Sequence, residues 1–150
     1  MALQFTVSGR IARPLHEVFE AVADPAQLSR YFTTNGAVGR LTTGATVTWD
    51  FADFPGAFPV HVEEVEQDRR IVLRWQAAVG DAARYDTTVT IEFAALDDGR
   101  TLVTISEEGW RDDEAGRRAS YGNCEGWTGM LCAMKTWVEH GINLRAGFYV

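Results

Sequence analysis

Between Ala45 and Ile105 the chain repeats one pattern five times: a short run in which apolar and polar residues alternate, closed by turn-forming residues. The runs are Val47/Trp49/Phe51, Val60/Val62, Ile71/Leu73/Trp75, Val89/Ile91/Phe93 and Val103/Ile105. A period of two places alternate side chains on opposite faces of a strand, so each run has one face to bury. The breaks carry Asp53 with Pro55-Gly56, Gln67-Asp68-Arg69, Gly80-Asp81 and Asp97-Asp98-Gly99, which suits tight connections between antiparallel neighbours. Near the start Phe5, Val7 and Ile11 alternate with Gln4, Thr6, Ser8 and Arg10, adding a strand ahead of the meander. The expectation is a six-stranded antiparallel sheet.

Helical spacing occurs at the two ends of this block. Pro14 suits a first helical turn, and Leu15, Val18, Phe19, Val22 and Ala23 form one apolar stripe, predicting a helix to about Ala23. Asp24-Pro25-Ala26-Gln27 reads as a second start, with Asp24 as N-cap, and predicts a short helix through Tyr31 and Phe32. The glycines between Thr33 and Gly44 read as turns, not as a phosphate loop, because no strand leads into them. After the polar run from Arg111 to Arg118, residues Cys124, Trp127, Leu131, Met134 and Val138 recur at spacings of three and four, predicting a long helix that Gly141 ends. Leu144, Phe148 and Tyr149 then make an apolar tail that packs back or meets a partner. The order is strand, two short helices, five strands and a long helix, which is an α+β domain spanning residues 1–150.

One long helix is left to cover the buried face of the sheet, so the sheet must curve around it. Curvature leaves space for a small-molecule cavity between them, lined by Trp49, Phe51, Trp75, Ile91, Trp127, Met130, Leu131 and Met134, unless these residues simply fill the core. The formal net charge of -7 argues against nucleic acid and anionic lipid surfaces. No window approaches the ~20 apolar residues of a membrane span, and MALQFTVSGR lacks the basic and apolar regions of a secretory leader. Cys124 and Cys132, eight residues apart on one helix, stand about 12 Å apart by the helical rise and cannot bridge, which suits reduced thiols in the cytoplasm.

IARPLHEVFEAVADPAQLSRYF resembles the opening of the helix-grip superfamily, which includes lipid-transfer START domains, plant pathogenesis-related ligand binders and polyketide cyclases. The branch it is most similar to is named for the activator of the 90-kDa heat-shock-protein ATPase. The resemblance rests on Pro14, Ala23-Asp24-Pro25, Tyr31-Phe32, Val65 ahead of Arg70-Ile71-Val72-Leu73-Arg74-Trp75, Thr88-Val89-Thr90 and Gly126-Trp127, and covers roughly residues 4–141. It implies a helix-grip fold and a hydrophobic small molecule or lipid as partner. A cyclase-like or aromatase-like enzyme using the same cavity is the alternative, and chaperone contact is a weaker implication. The oligomeric state stays open between monomer and homodimer.

Chemistry-bearing residues are few. His16, His61 and His140 are scattered, no CxxC or GxSxG occurs, and no metal site, cofactor or catalytic nucleophile is expected. Asp50, Asp112, Asp113 and Glu114 read as solvated surface. Tyr85 and Tyr121 either set a hydroxyl at the mouth of the cavity or, as is commoner for such tyrosines, only pack. Glu107 is the informative residue: alternation from Val103 and Ile105 turns it inward, to bind a ligand's donor or act as a base. A bulge near Ser106 would turn it out beside Glu108, and the position at a strand end favours that outward reading.

Overall fold

The computed structural model describes residues 3–80 and 84–150. Its elements are β1 (Leu3–Ile11), α1 (Leu15–Ala23), α2 (Pro25–Leu28), β2 (Gly36–Val38), β3 (Thr46–Phe51), β4 (Phe54–Glu66), β5 (Arg70–Gln76), β6 (Asp86–Ala95), β7 (Thr101–Trp110) and α3 (Glu114–His140). All strands join one antiparallel sheet in the order β1-β7-β6-β5-β4-β3-β2, so the meander is continuous from β2 to β7 and β1 closes onto β7. Register shifts interrupt the β3–β4 and β4–β5 pairs, and extra residues on one strand of a pair bend a sheet locally. This is the helix-grip architecture, with seven strands where six were expected. No helix among the described residues is long and apolar enough to cross a membrane.

Four boundaries differ from the sequence reading. The additional strand, β2, is three residues long and lies in the stretch read as turns, too short to display an alternation. The β3–β4 hairpin turns at Ala52-Asp53, and Pro55-Gly56 falls inside β4, where the Gly56 N–H donates to Asp50 at 3.1 Å. The helix α3 starts ten residues before Cys124, at Glu114, with Asp113 as N-cap accepting from the Gly116 N–H at 2.7 Å. Its first turns present Glu114, Arg117 and Arg118 to solvent, so they carry no apolar stripe. Ion pairs with Asp112 and within the helix hold them instead. The second helix ends at Leu28, and hydrogen-bonded turns carry the chain to Phe32. The proposed Gly80-Asp81 break lies partly outside the described residues.

Residues of α3 also clasp β1. Glu139 accepts from the Ala12 N–H at 2.8 Å and from Lys135, while Arg13 donates to the Glu139 carbonyl at 2.8 Å. Burial pushes the Glu139 carboxyl up, but the Ala12 N–H and the Lys135 ammonium outweigh it and hold the group below its ordinary value of 4.5. A lowered folded-state pKa stabilises fully above the ordinary value and ceases to do so as pH falls through the lowered one. Urea midpoints measured from neutral to acid pH are therefore expected to fall less steeply below 4.5 for Glu139→Gln than for wild type.

Glycines on α3 give a second, opposed pair of predictions. Nothing lies within 4 Å of a side chain added at Gly122, whereas a methyl added at Gly116 collides with the Arg111 carbonyl. Gly122→Ala is expected to raise stability by about 1 kcal/mol through helix propensity. Gly116→Ala should lower it by about 1–3 kcal/mol through overpacking, both read by urea denaturation.

Candidate functional site: a buried carboxylate among aromatic rings

In β7 the side chains of Thr101, Val103, Ile105 and Glu107 alternate inward without interruption, and Glu107 is 0% exposed. Pairing stays in register on both flanks, with Ser106 opposite Thr6 and Thr90 and with Glu107 opposite Phe5 and Val89. The bulge comes later, between the Gln4–Glu108 and Leu3–Trp110 pairs, at Gly109 with φ 109°. The outward reading of Glu107 is thereby corrected: the irregularity that could have turned it out follows it.

Four side chains from three elements donate to this carboxylate. Trp75 Nε1 at the end of β5 reaches Oε2 at 2.9 Å, and Thr87 Oγ1 of β6 reaches the same oxygen at 2.6 Å. From α3, Trp127 Nε1 donates to Oε1 at 2.8 Å and Asn123 Nδ2 bridges both oxygens at 3.0 Å. An ionised carboxylate offers about four lone-pair positions and no donor, so these contacts match its capacity. None of the four partners carries a charge.

The rings form a continuous cluster. Trp75 lies 5.5 Å from Trp127 and 5.8 Å from Trp49, centroid to centroid, and Phe32 lies 5.3 Å from Trp127, 5.7 Å from Trp49 and 4.9 Å from Phe51. Ile91, Met130, Leu131 and Met134 complete the buried face beside them. Of the ten residues expected to line a cavity, eight are buried, and Trp75 and Tyr85 are half-buried. Trp49 is 1% exposed, and its indole N–H is buried with no hydrogen-bond partner among the described residues.

The remaining candidates lie elsewhere. The Tyr85 hydroxyl accepts from the Arg111 N–H at 3.2 Å, with the Arg111 guanidinium 4.6 Å from its ring, and makes no hydrogen bond to Glu107. Tyr121 is exposed on the outer face of α3, and does not set its hydroxyl at an interior mouth. His61 faces away from Val60 and Val62 and lies 3.0 Å from Thr46 Oγ1. Asp50 and Asp113 are not merely solvated, since each accepts a backbone N–H. Thr87 and Asn123 were not anticipated, although Thr87 shares the inward alternation of Val89 and Ile91 and Asn123 precedes Trp127 by one helical turn.

A family model described as "Activator of Hsp90 ATPase homolog 1-like protein" matches residues 12–139. The chain belongs to that family. Among solved structures it is similar to a protein of Staphylococcus saprophyticus, with 26% identity, a TM-score of 0.78, and coverage of 95% of this chain and 96% of that one. The Aha1 dimer of Colwellia psychrerythraea matches at 15% identity and a TM-score of 0.73 over 93% and 98% of the two chains, a likeness of fold. DynU16, from the dynemicin biosynthetic locus, matches at 24% identity and a TM-score of 0.77 over 92% of this chain and 48% of that one. No curated protein sequence matches this chain.

In this family member the Glu107 constellation ties β5, β6 and β7 to α3. Glu107→Ala would strand four buried or half-buried neutral donors, and leaving buried donors unsatisfied is expected to cost at least about 1–3 kcal/mol. Chemical denaturation measures it, and a loss below 1 kcal/mol would mean the donors find other partners.

Proposed function

We propose that this chain binds an amphipathic small molecule between the sheet and α3, with an apolar body among the aromatic rings and a hydrogen-bond donor on Glu107. The observation that carries this reading is a fully buried carboxylate held only by neutral donors. Burying a charge without a cation is expensive, which points to a task for the acid itself. The unpartnered Trp49 indole N–H supplies the complement, so a molecule with one donor and one acceptor, such as a hydroxy-ketone, matches both groups. Because the rings are in contact, occupancy requires movement at Trp75 and Asn123, the two half-buried partners of Glu107.

The cyclase-like alternative needs a group that exchanges protons with Glu107. Its partners are two indoles, an amide and a threonine hydroxyl, and neither Tyr85 nor His61 hydrogen-bonds it. That arrangement suits recognition better than general acid–base work. We place the protein as one cytoplasmic domain, a reading supported by its two unpaired thiols.

Native mass spectrometry of protein purified gently from its own host tests the proposal. The expected result is an extra mass that vanishes on denaturation and is absent from Glu107→Gln, with far-UV circular dichroism confirming that the variant is folded. Trp75 and Trp127 both bond Glu107, so removing the ligand should also shift tryptophan emission in wild type. A bare wild-type mass, with emission unmoved by apolar hydroxy-ketones, overturns the reading. The same spectra separate monomer from the dimeric assembly of the Colwellia relative.

A further inference from the structure

Beyond Gly141, which ends α3 in the left-handed conformation with φ 69°, the last nine residues turn back along the outer face of the helix. Two contacts fix them. The Arg145 Nε and Nη2 atoms donate to the two carboxylate oxygens of Asp53 in the β3–β4 turn at 2.7 and 2.8 Å, with side chains only 10% and 13% exposed. The guanidinium lies 4.8, 4.9 and 5.4 Å from the rings of Phe51, Tyr149 and Phe32. At the other contact the Tyr149 hydroxyl rests against Gly129, where any side chain would collide with it.

Between tail and helix lies a slot of about 610 Å³, walled by Tyr121, Cys124, Gly129 and Cys132 on one side and by Leu144 and Phe148 on the other. A tail docked only by apolar burial would collapse onto the helix. This one is held by a bidentate ion pair with the slot left open, and Phe148 and Tyr121 remain 64% and 72% exposed on its walls. The volume falls within the range of small-molecule sites. With Arg145 committed to Asp53, the charge left at the slot is the Glu125 carboxylate, which forms no ion pair or hydrogen bond among the described residues. Together with the net charge of -7, this disfavours an anion.

We propose that the slot is a second ligand site, for a flat, neutral or monocationic aromatic molecule. It is separate from the Glu107 interior and does not depend on the reading given for that interior.

The only two cysteines of the chain, Cys124 and Cys132, both line the slot, so thiol alkylation reports its occupancy directly. The probe is the neutral dye N-phenyl-1-naphthylamine. At saturation it is expected to slow iodoacetamide alkylation of both cysteines by about tenfold, read by intact mass, because a covered thiol is inaccessible to the reagent. Asp53→Ala, which frees the tail, should abolish that protection, and Phe148→Ala should weaken it even if the first variant proves too unstable to use. Glu107→Gln should leave it intact, so loss of the interior site and loss of the slot are told apart. Dye fluorescence that rises while both thiols react at the unprotected rate would overturn the proposal. Equal protection by the anionic dye 8-anilinonaphthalene-1-sulfonate would overturn the charge assignment.

Discussion

The architecture depends on keeping one carboxylate out of water. Glu107 is fully buried without a cation, and a charge in that position is tolerable only if its oxygens are saturated with well-placed donors. The donors come from β5, β6 and α3, so their satisfaction fixes how the long helix lies across the sheet. Apolar packing alone would leave that setting looser, since it is non-directional, whereas Trp127 Nε1 and Asn123 Nδ2 must both reach the same carboxylate.

This requirement also explains why the bulge of β7 lies where it does. A bulge at Ser106 would rotate Glu107 to solvent and release every partner. One residue pair further along, Gly109 adopts φ 109°, a conformation that favours glycine, and a Cβ added there would sit in contact with the Thr87 Cα at 3.4 Å. The strand therefore stays regular through Glu107 and bends only after the carboxylate is in place. Thr87, whose backbone packs against Gly109, is also the residue whose hydroxyl makes the shortest bond to Glu107, at 2.6 Å.

How much of this was legible in the sequence follows from the range of each signal. The five long strands after residue 45 declare themselves because alternation over several residues needs no tertiary context. The three residues of β2 cannot alternate enough to be seen, and the start of α3 hides because its first turns bury only Gly116 and Ser120. The direction of Glu107 hinged on whether one irregularity fell before or after it, a difference of about three residues that composition does not encode. Trp49 was visible as an apolar residue, but its unpartnered N–H is a property of its neighbours. The Asp53–Arg145 pair joins residues 92 apart, and no local pattern announces it.

The two ends of the aromatic cluster are closed by different means. At the Glu107 end an anion is held by neutral donors, so each partner can be exchanged for a ligand group of the same polarity without leaving a second charge stranded. At the Phe32–Phe51 end a cation is held by its own carboxylate, and removing either member leaves the other buried and unpaired. The first arrangement tolerates substitution of partners, and the second resists it. Rearrangement of the interior is accordingly easier at Trp75 and Asn123, which are half-buried, than beneath the tail, where Arg145 holds the wall of the outer slot in position.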